Sequence, residues 1–169
     1  MICKDLQDFS RSDYHTAARR QLSFKQKMID QKFIDFIKQH HVLTLATAAG
    51  SQPYCCNCFY SYDDTRNIFI VKTNENTRHT QELQQNPRVA LSIVLETEEI
   101  GKIQGLQITG KAVFYDGELL REATRQYLKR FPYAVLKPGE TLAIEPDYMK
   151  LTDNRFGFGK KLIWNNAKK

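Results

Sequence analysis

Three apolar segments follow one another with only turn-forming residues between them, and this spacing constrains the fold more than any other feature of the chain. Val42-Leu43-Thr44-Leu45-Ala46-Thr47 is rich in β-branched and apolar residues, and Gly50-Ser51 marks a turn. Tyr54 to Tyr62 resumes an extended run, which Asp63-Asp64-Thr65-Arg66-Asn67 turns back into Ile68-Phe69-Ile70-Val71. Strands joined by turns this short pair antiparallel, because a parallel pair needs a crossover of about a dozen residues or more. The three segments therefore read as a meander. The third is apolar without alternation, as expected of a strand covered on both sides.

The pattern continues along the chain. A short helix fits Thr77 to Gln85 and is stopped by Asn86-Pro87. Val89, Leu91, Ile93 and Leu95 alternate with smaller or polar residues, and so do Leu106, Ile108, Ala112 and Phe114. Gly110, in the middle of the second run, predicts a bulge or a close backbone approach. Asp116 is placed as the N-cap of a helix carrying Leu120, Ala123, Tyr127 and Phe131, with Lys129 and Arg130 in its last turn and Pro132 as its stop. A sixth strand runs from Leu142 to Leu151.

Upstream, Met28, Ile29, Phe33, Phe36 and Ile37 recur near helical spacing and predict an amphipathic helix from about Ser23 to His40, with Ser23 as its cap. Residues 1–24 read as an N-terminal extension and residues 25–169 as a single domain. Six strands with only short helices between them close best as a small barrel, which also removes exposed edges. The fold class is mainly β (α+β): a six-stranded antiparallel barrel with flanking short helices. Such a barrel is too narrow to enclose a cofactor. A planar ligand is therefore expected in an outer groove, shared with a second subunit.

Composition excludes several classes. The 169 residues suffice for one domain with a proper core. No apolar run of about 18 residues exists, so no transmembrane helix is expected. The first residues, Met1-Ile2-Cys3-Lys4-Asp5-Leu6, lack an apolar signal segment, and a cytoplasmic location is expected. The net charge of +6 favours anionic partners, phosphorylated cofactors among them. A nucleic-acid-binding role is the weaker reading of that charge, since no RNA-binding motif, zinc finger or helix-turn-helix signature accompanies it. Cys55, Cys56 and Cys58 crowd together, whereas a disulfide framework spreads its cysteines to close loops. On a strand Cys56 and Cys58 share one face and Cys55 takes the other. They read as small buried apolar residues, with a redox or metal role as the alternative. His15, His40 and His41 show no metal-ligand spacing, and no Ser-His-Asp or paired-carboxylate arrangement can be argued.

The strand and helix order resembles the split-barrel flavoproteins related to pyridoxamine 5′-phosphate oxidase. The segments that carry the likeness are Cys55-Cys56-Asn57-Cys58-Phe59-Tyr60, Lys72-Thr73 with Thr77-Arg78-His79, Arg130-Phe131-Pro132, and Thr152-Asp153-Asn154 with Gly157-Phe158-Gly159-Lys160-Lys161-Leu162-Ile163-Trp164. The last is specific to a small branch of the superfamily. The resemblance implies a homodimer with two symmetric FMN sites at its interface. It also implies two-electron redox chemistry in many members and ligand binding alone, of flavin or haem, in others. The expected function is thus an FMN-dependent oxidoreductase acting on a small substrate. A non-catalytic flavin- or haem-binding dimer is the alternative.

The resemblance directs attention to Thr73 through Thr80, where a strand ends and a helix begins. A helix N-terminus presents unpaired N–H groups and partial positive charge to an anion. Arg78 can grip a phosphate through its guanidinium fork, His79 adds a donor, and the hydroxyls of Thr73, Thr77 and Thr80 complete the set. In the superfamily this region holds the FMN phosphate and the flavin edge. A lysine common near this helix start is replaced here by Arg78 and His79. Asn57, a polar amide in an apolar strand, reads either as a partner of the isoalloxazine edge or as a cross-strand hydrogen bond. Lys160 and Trp164 read as closing over cofactor or substrate, from the same or the partner subunit, or as a packed tail.

Overall fold

The computed structural model describes residues 28–156 and 160–166. The extension 1–24, the start of the expected first helix and Gly157-Phe158-Gly159 lie outside the described residues.

The elements are α1 (Gln31–Gln39), β1 (Val42–Ala49), β2 (Gln52–Asp63), β3 (Ile68–Thr73), α2 (Arg78–Gln85), β4 (Arg88–Leu95), β5 (Gln104–Val113), α3 (Gly117–Arg130), β6 (Glu140–Asp153) and β7 (Lys161–Asn165). Every pairing is antiparallel, in the order β3-β2-β1-β4-β5-β6-β7, and β3 also pairs with β6. That last pairing, Phe69 opposite Ile144 through Thr73 opposite Glu140, closes the six strands into the expected barrel. The first half of β6 completes the closure, and its second half, Tyr148 to Thr152, carries β7 on its outer edge.

Closure puts alternate side chains inside. Leu43 and Leu45 of β1, Tyr60 of β2, Phe69 of β3, Leu91 and Ile93 of β4, Leu106 and Ile108 of β5 and Leu142 and Met149 of β6 form one core. Phe33, Phe36 and Ile37 of α1 join it, so the helix seats its apolar stripe on that core. Each such side chain contributes about 1.5–3 kcal/mol through burial. A second cluster lies outside the barrel, where Ala123 and Tyr127 of α3 and Phe131 just after it cover Ile68, Ile70 and Ala143. It explains why Ile68 to Val71 shows no alternation: β3 is buried on both faces.

Two expectations are corrected. The first helix starts at Gln31 with Asp30 as its cap, whose carboxylate accepts from the Lys32 amide at 2.9 Å. Met28 is fully exposed, so the apolar stripe begins later than its spacing implied. Asp116 is the N-cap of α3, as expected, without a side-chain cap bond. The segment after Asp153 is not only a tail: it returns as β7, because the outer edge of β6 offers an unpaired ladder. The expectation at Gly110 holds in both of its forms. The β5–β6 register shifts between Thr109 and Gly110, and a Cβ at Gly110 would stand 2.4 Å from the Glu145 carbonyl oxygen.

Candidate functional site

The end of β3 and the start of α2 gather four polar side chains. Thr73 Oγ1 lies 2.6 Å from Thr80 Oγ1, 2.7 Å from His79 Nε2 and 3.3 Å from Thr77 Oγ1. Thr77 Oγ1 is 2.8 Å from Thr80 Oγ1 and donates to the Asn74 carbonyl at 2.7 Å. Thr77 occupies the N-cap of α2 yet makes no side-chain cap bond, because its hydroxyl is spent on this cluster. The first amides of α2 are therefore left without the usual threonine acceptor. Thr73 is pressed into place from behind: a Cβ at Gly139 would sit 2.3 Å from its carbonyl oxygen, so only glycine permits that approach.

Arg78 flanks the cluster and is half exposed. Its Nε donates to Glu82 Oε1 at 2.7 Å, and its guanidinium carbon lies 4.6 Å from the centre of the Tyr54 ring. The terminal nitrogens keep donors for an anion. Glu82 is buried and accepts from Thr47 Oγ1 at 2.6 Å. The Thr47 hydrogen bond first, then the Arg78 pair, hold its carboxyl below the usual carboxylate range. Glu82 thus remains charged and anchors Arg78. Together these residues leave the amide donors at the positive end of a helix open, with a positioned cation beside them. That donor set suits an anion such as a phosphate.

The sulfur groups adjoin the same helix. Cys56 and Cys58 turn to the inner face of β2 and pack against the core, while Cys55 is exposed on the other face. Their sulfurs are 3.8 Å apart, and both lie within 4.8 Å of a ring nitrogen of His79. The Cys58 thiol, by hydrogen bonding, is the largest influence on Cys56 and holds it at about 5 against the effect of burial, helped by a hydrogen bond and charge from His79. Cys58 is pushed up by the same bond and by burial.

Of the residues singled out in the sequence, Thr73, Thr77, His79 and Thr80 come together, with Arg78 at their side. Asn57 faces away from Cys56 and Cys58 and makes the cross-strand bond: its Oδ1 accepts from Thr44 Oγ1 at 2.9 Å. Lys160 is exposed and lines a small cleft with Lys32, Leu151, Asp153 and Leu162. Trp164, read either as closing over a cofactor or as part of a packed tail, is 2% exposed and belongs to the main core opposite Met149. Sequence reasoning missed Thr47, Tyr54 and Glu82: Glu82 meets Arg78 one turn along α2, whereas Thr47 reaches Glu82 and Tyr54 reaches Arg78 only through the packing of α2 on β1 and β2. It also missed the meeting of His79 with the Cys-x-Cys pair. A separate hollow of about 360 Å³ under α3 is lined by Lys38, Ser61, Tyr62, Gln126, Lys129 and Arg130. There Arg130 is engaged with the carbonyls of Tyr60 and His40, and Lys38 with Asp64.

A closed six-stranded antiparallel barrel with an added strand and a polar strand-to-helix junction defines the split-barrel class. Comparison with known proteins agrees. The family model described as pyridoxamine 5′-phosphate oxidase matches residues 29–153, and the chain belongs to that family. A UPF0306 protein of Photorhabdus laumondii is 36% identical over 129 residues, covering 76% of this chain and 90% of that protein. Among solved structures, a heme binding protein from Mycobacterium smegmatis superposes with a TM-score of 0.68 at 16% identity, over 78% of this chain and 55% of that one. The chain thus spans about half the length of the M. smegmatis protein. HutZ, the heme storage protein from Vibrio cholerae, gives 0.59 at 18% identity over 71% of this chain and 91% of that one. A FAD-binding protein from Mesorhizobium loti gives 0.62 at 14% identity over 72% and 90%. At these identities the structural likeness carries the fold alone.

Proposed function

We propose that the protein is an FMN-binding flavoprotein that works as a homodimer, with its cofactor phosphate at the junction of β3 and α2, and that it acts as an oxidoreductase on a small substrate. The cluster of Thr73, Thr77, Thr80 and His79 at an uncapped helix start carries this reading. Arg78, held by Glu82 and Tyr54, supplies the cation that such a phosphate needs. FMN when bound supplies two-electron chemistry of its own, so no acid–base motif is required of the chain. The chain's residues then bind the phosphate, orient the ring system and limit access of water. The FAD-binding neighbour supports a flavin, and membership of the family supports two subunits.

An apolar patch supports the second subunit. Phe59, on the outer face of β2, stacks with His41 and contacts Phe131, which contacts Tyr133; Val135 and Leu136 extend the exposed surface. Lys160, exposed just before β7, is available to cofactor or substrate across such a dimer. Unpaired thiols at Cys55, Cys56 and Cys58 suit a reducing compartment, and the reading includes a cytoplasmic location.

The test is the visible spectrum of purified protein before and after FMN addition, with dialysis between. Flavin bands that survive dialysis are expected. A Soret band in their place would assign the protein to haem carriage, the chemistry named for two of its structural neighbours. A colourless protein that cannot retain FMN would remove the flavin reading.

A further inference from the structure

Two thiols from one strand and an imidazole from the helix beside it converge at the barrel wall, and we propose that Cys56, Cys58 and His79 form a binding site for a thiophilic metal ion, with Zn²⁺ the ion that the donor set fits. The spacing is already that of a ligand pair. Zn²⁺ bound at about 2.3 Å to each sulfur in a tetrahedral arrangement sets two thiolates about 3.8 Å apart. Cys56 Sγ and Cys58 Sγ are 3.8 Å apart, and a ring nitrogen of His79 lies within 4.8 Å of both. Two thiolates and one imidazole form the borderline-soft set that selects zinc over hard cations.

The surrounding structure supports the site. The period of a strand places Cys56 and Cys58 on one face, and β2 is held rigid by pairing with β1 along its first half and with β3 along its second. The His79 ring is fixed by the Thr73 hydroxyl, 2.7 Å from Nε2, the kind of outer-shell contact that orients a ligating imidazole. Among the described residues no fourth histidine, cysteine or carboxylate joins the group. All three side chains are only half-buried, so water completes the tetrahedron and leaves an exchangeable position. A disulfide suits the pair less well. Alternate Cα atoms on an extended strand stand about 6.6–6.8 Å apart, at the upper limit of roughly 6.8 Å for a disulfide.

The site goes beyond the flavin reading and does not rest on it, although the two share His79. An imidazole that ligates metal through one nitrogen and meets Thr73 through the other has no N–H left for a phosphate. The phosphate grip then lies with Arg78 and the α2 amides.

The test uses the full chain, reduced, stripped of metal and free of flavin, with Cys3→Ser and Cys55→Ser removing the remaining thiols. Titration with Co²⁺ is expected to give one equivalent bound, with a thiolate-to-cobalt charge-transfer band that Zn²⁺ abolishes. Cys56→Ser, Cys58→Ser and His79→Ala should each weaken binding by more than about 100-fold, beyond the roughly 10–100-fold expected when Thr73→Val removes an outer-shell contact. Circular dichroism checks that each variant is folded, and Cys56→Ala with Cys58→Ala repeats the test without a hydroxyl. Absence of the band at stoichiometric Co²⁺, or folded cysteine variants with undiminished affinity, would overturn the proposal. FMN binding is measured separately on metal-free protein. Flavin uptake without cobalt binding then fails only the metal site, and the reverse fails only the flavin site.

Discussion

Arg78 shows how one residue's role depends on its neighbours. On a bare helix it would be a mobile surface cation. Here the buried carboxylate of Glu82 and the Tyr54 ring hold it beside the threonine cluster. Arg78→Ala should therefore weaken FMN binding by about 1.5–3 kcal/mol, the range for hydrogen bonds to charged groups, as read by calorimetric titration. Unchanged affinity in a folded variant would move the phosphate elsewhere. Asp63 is the clearest structural carboxylate. It accepts from the Thr65 amide and hydroxyl, the Arg66 amide and the Arg66 guanidinium, and so pins the turn between β2 and β3. Burial alone would raise its pKa, but the hydrogen bonds from Thr65 and Arg66 outweigh burial and hold it below the ordinary value. A depressed folded pKa gives stability that is complete above the unfolded value of about 3.9 and is lost as pH falls through the folded one. Asp63→Asn should cost about 1–3 kcal/mol at neutral pH in urea denaturation. The gap between wild type and variant should narrow below about pH 4. A pH-independent gap would mean that the turn does not depend on the charge.

Among the elements, the β5–β6 ladder bends where Gly110 faces Glu145 and Pro146, with Asp147 as the extra residue. The bulge aims the Asp147 carboxylate at Thr109 and Arg88, tying β4 to β6 across β5. A Cβ at position 110 meets backbone, which cannot yield as a side chain would. Gly110→Ala should therefore destabilise by about 1–3 kcal/mol. Gly105→Ala is the matched control on the same strand, since its Cβ would meet the Ile93 carbonyl at an ordinary 4.0 Å. Thermal unfolding of both variants checks this. Equal melting temperatures would show that the close approach relaxes freely. The Thr77 N-cap is a second feature at this scale, because α2 forgoes its own cap to build the cluster.

For the whole molecule, a closed barrel has no room for a flavin inside, as its interior is filled by Phe33, Tyr60, Phe69 and their neighbours. A bound ring system then depends on an outer surface, and the exposed apolar residues Phe59, Tyr133 and Leu136 are the face on which the proposed second subunit is tested. Sedimentation equilibrium should give the mass of two chains for the wild type. Tyr133→Asp combined with Leu136→Asp should give one chain and weaker FMN retention. A monomeric wild type would remove the shared-site reading. A dimeric double variant would place the interface on another face.

The sequence by itself determined the strands, the barrel and the polar junction from Thr73 to Thr80. Period-two alternation, turn residues such as Asn67 and Gly50, and a Gly-marked bulge all act over a few neighbouring residues and are legible in any window that contains them. The seating of Trp164 in the core, the return of β7 and the meeting of His79 with Cys56 and Cys58 were decided only by the tertiary structure. Each depends on contacts between segments far apart in the chain, brought together when β3 pairs with β6 and α2 settles on β1 and β2. Local chemistry supplies candidates for pairing and binding. Closure of the barrel selects which of them share a face.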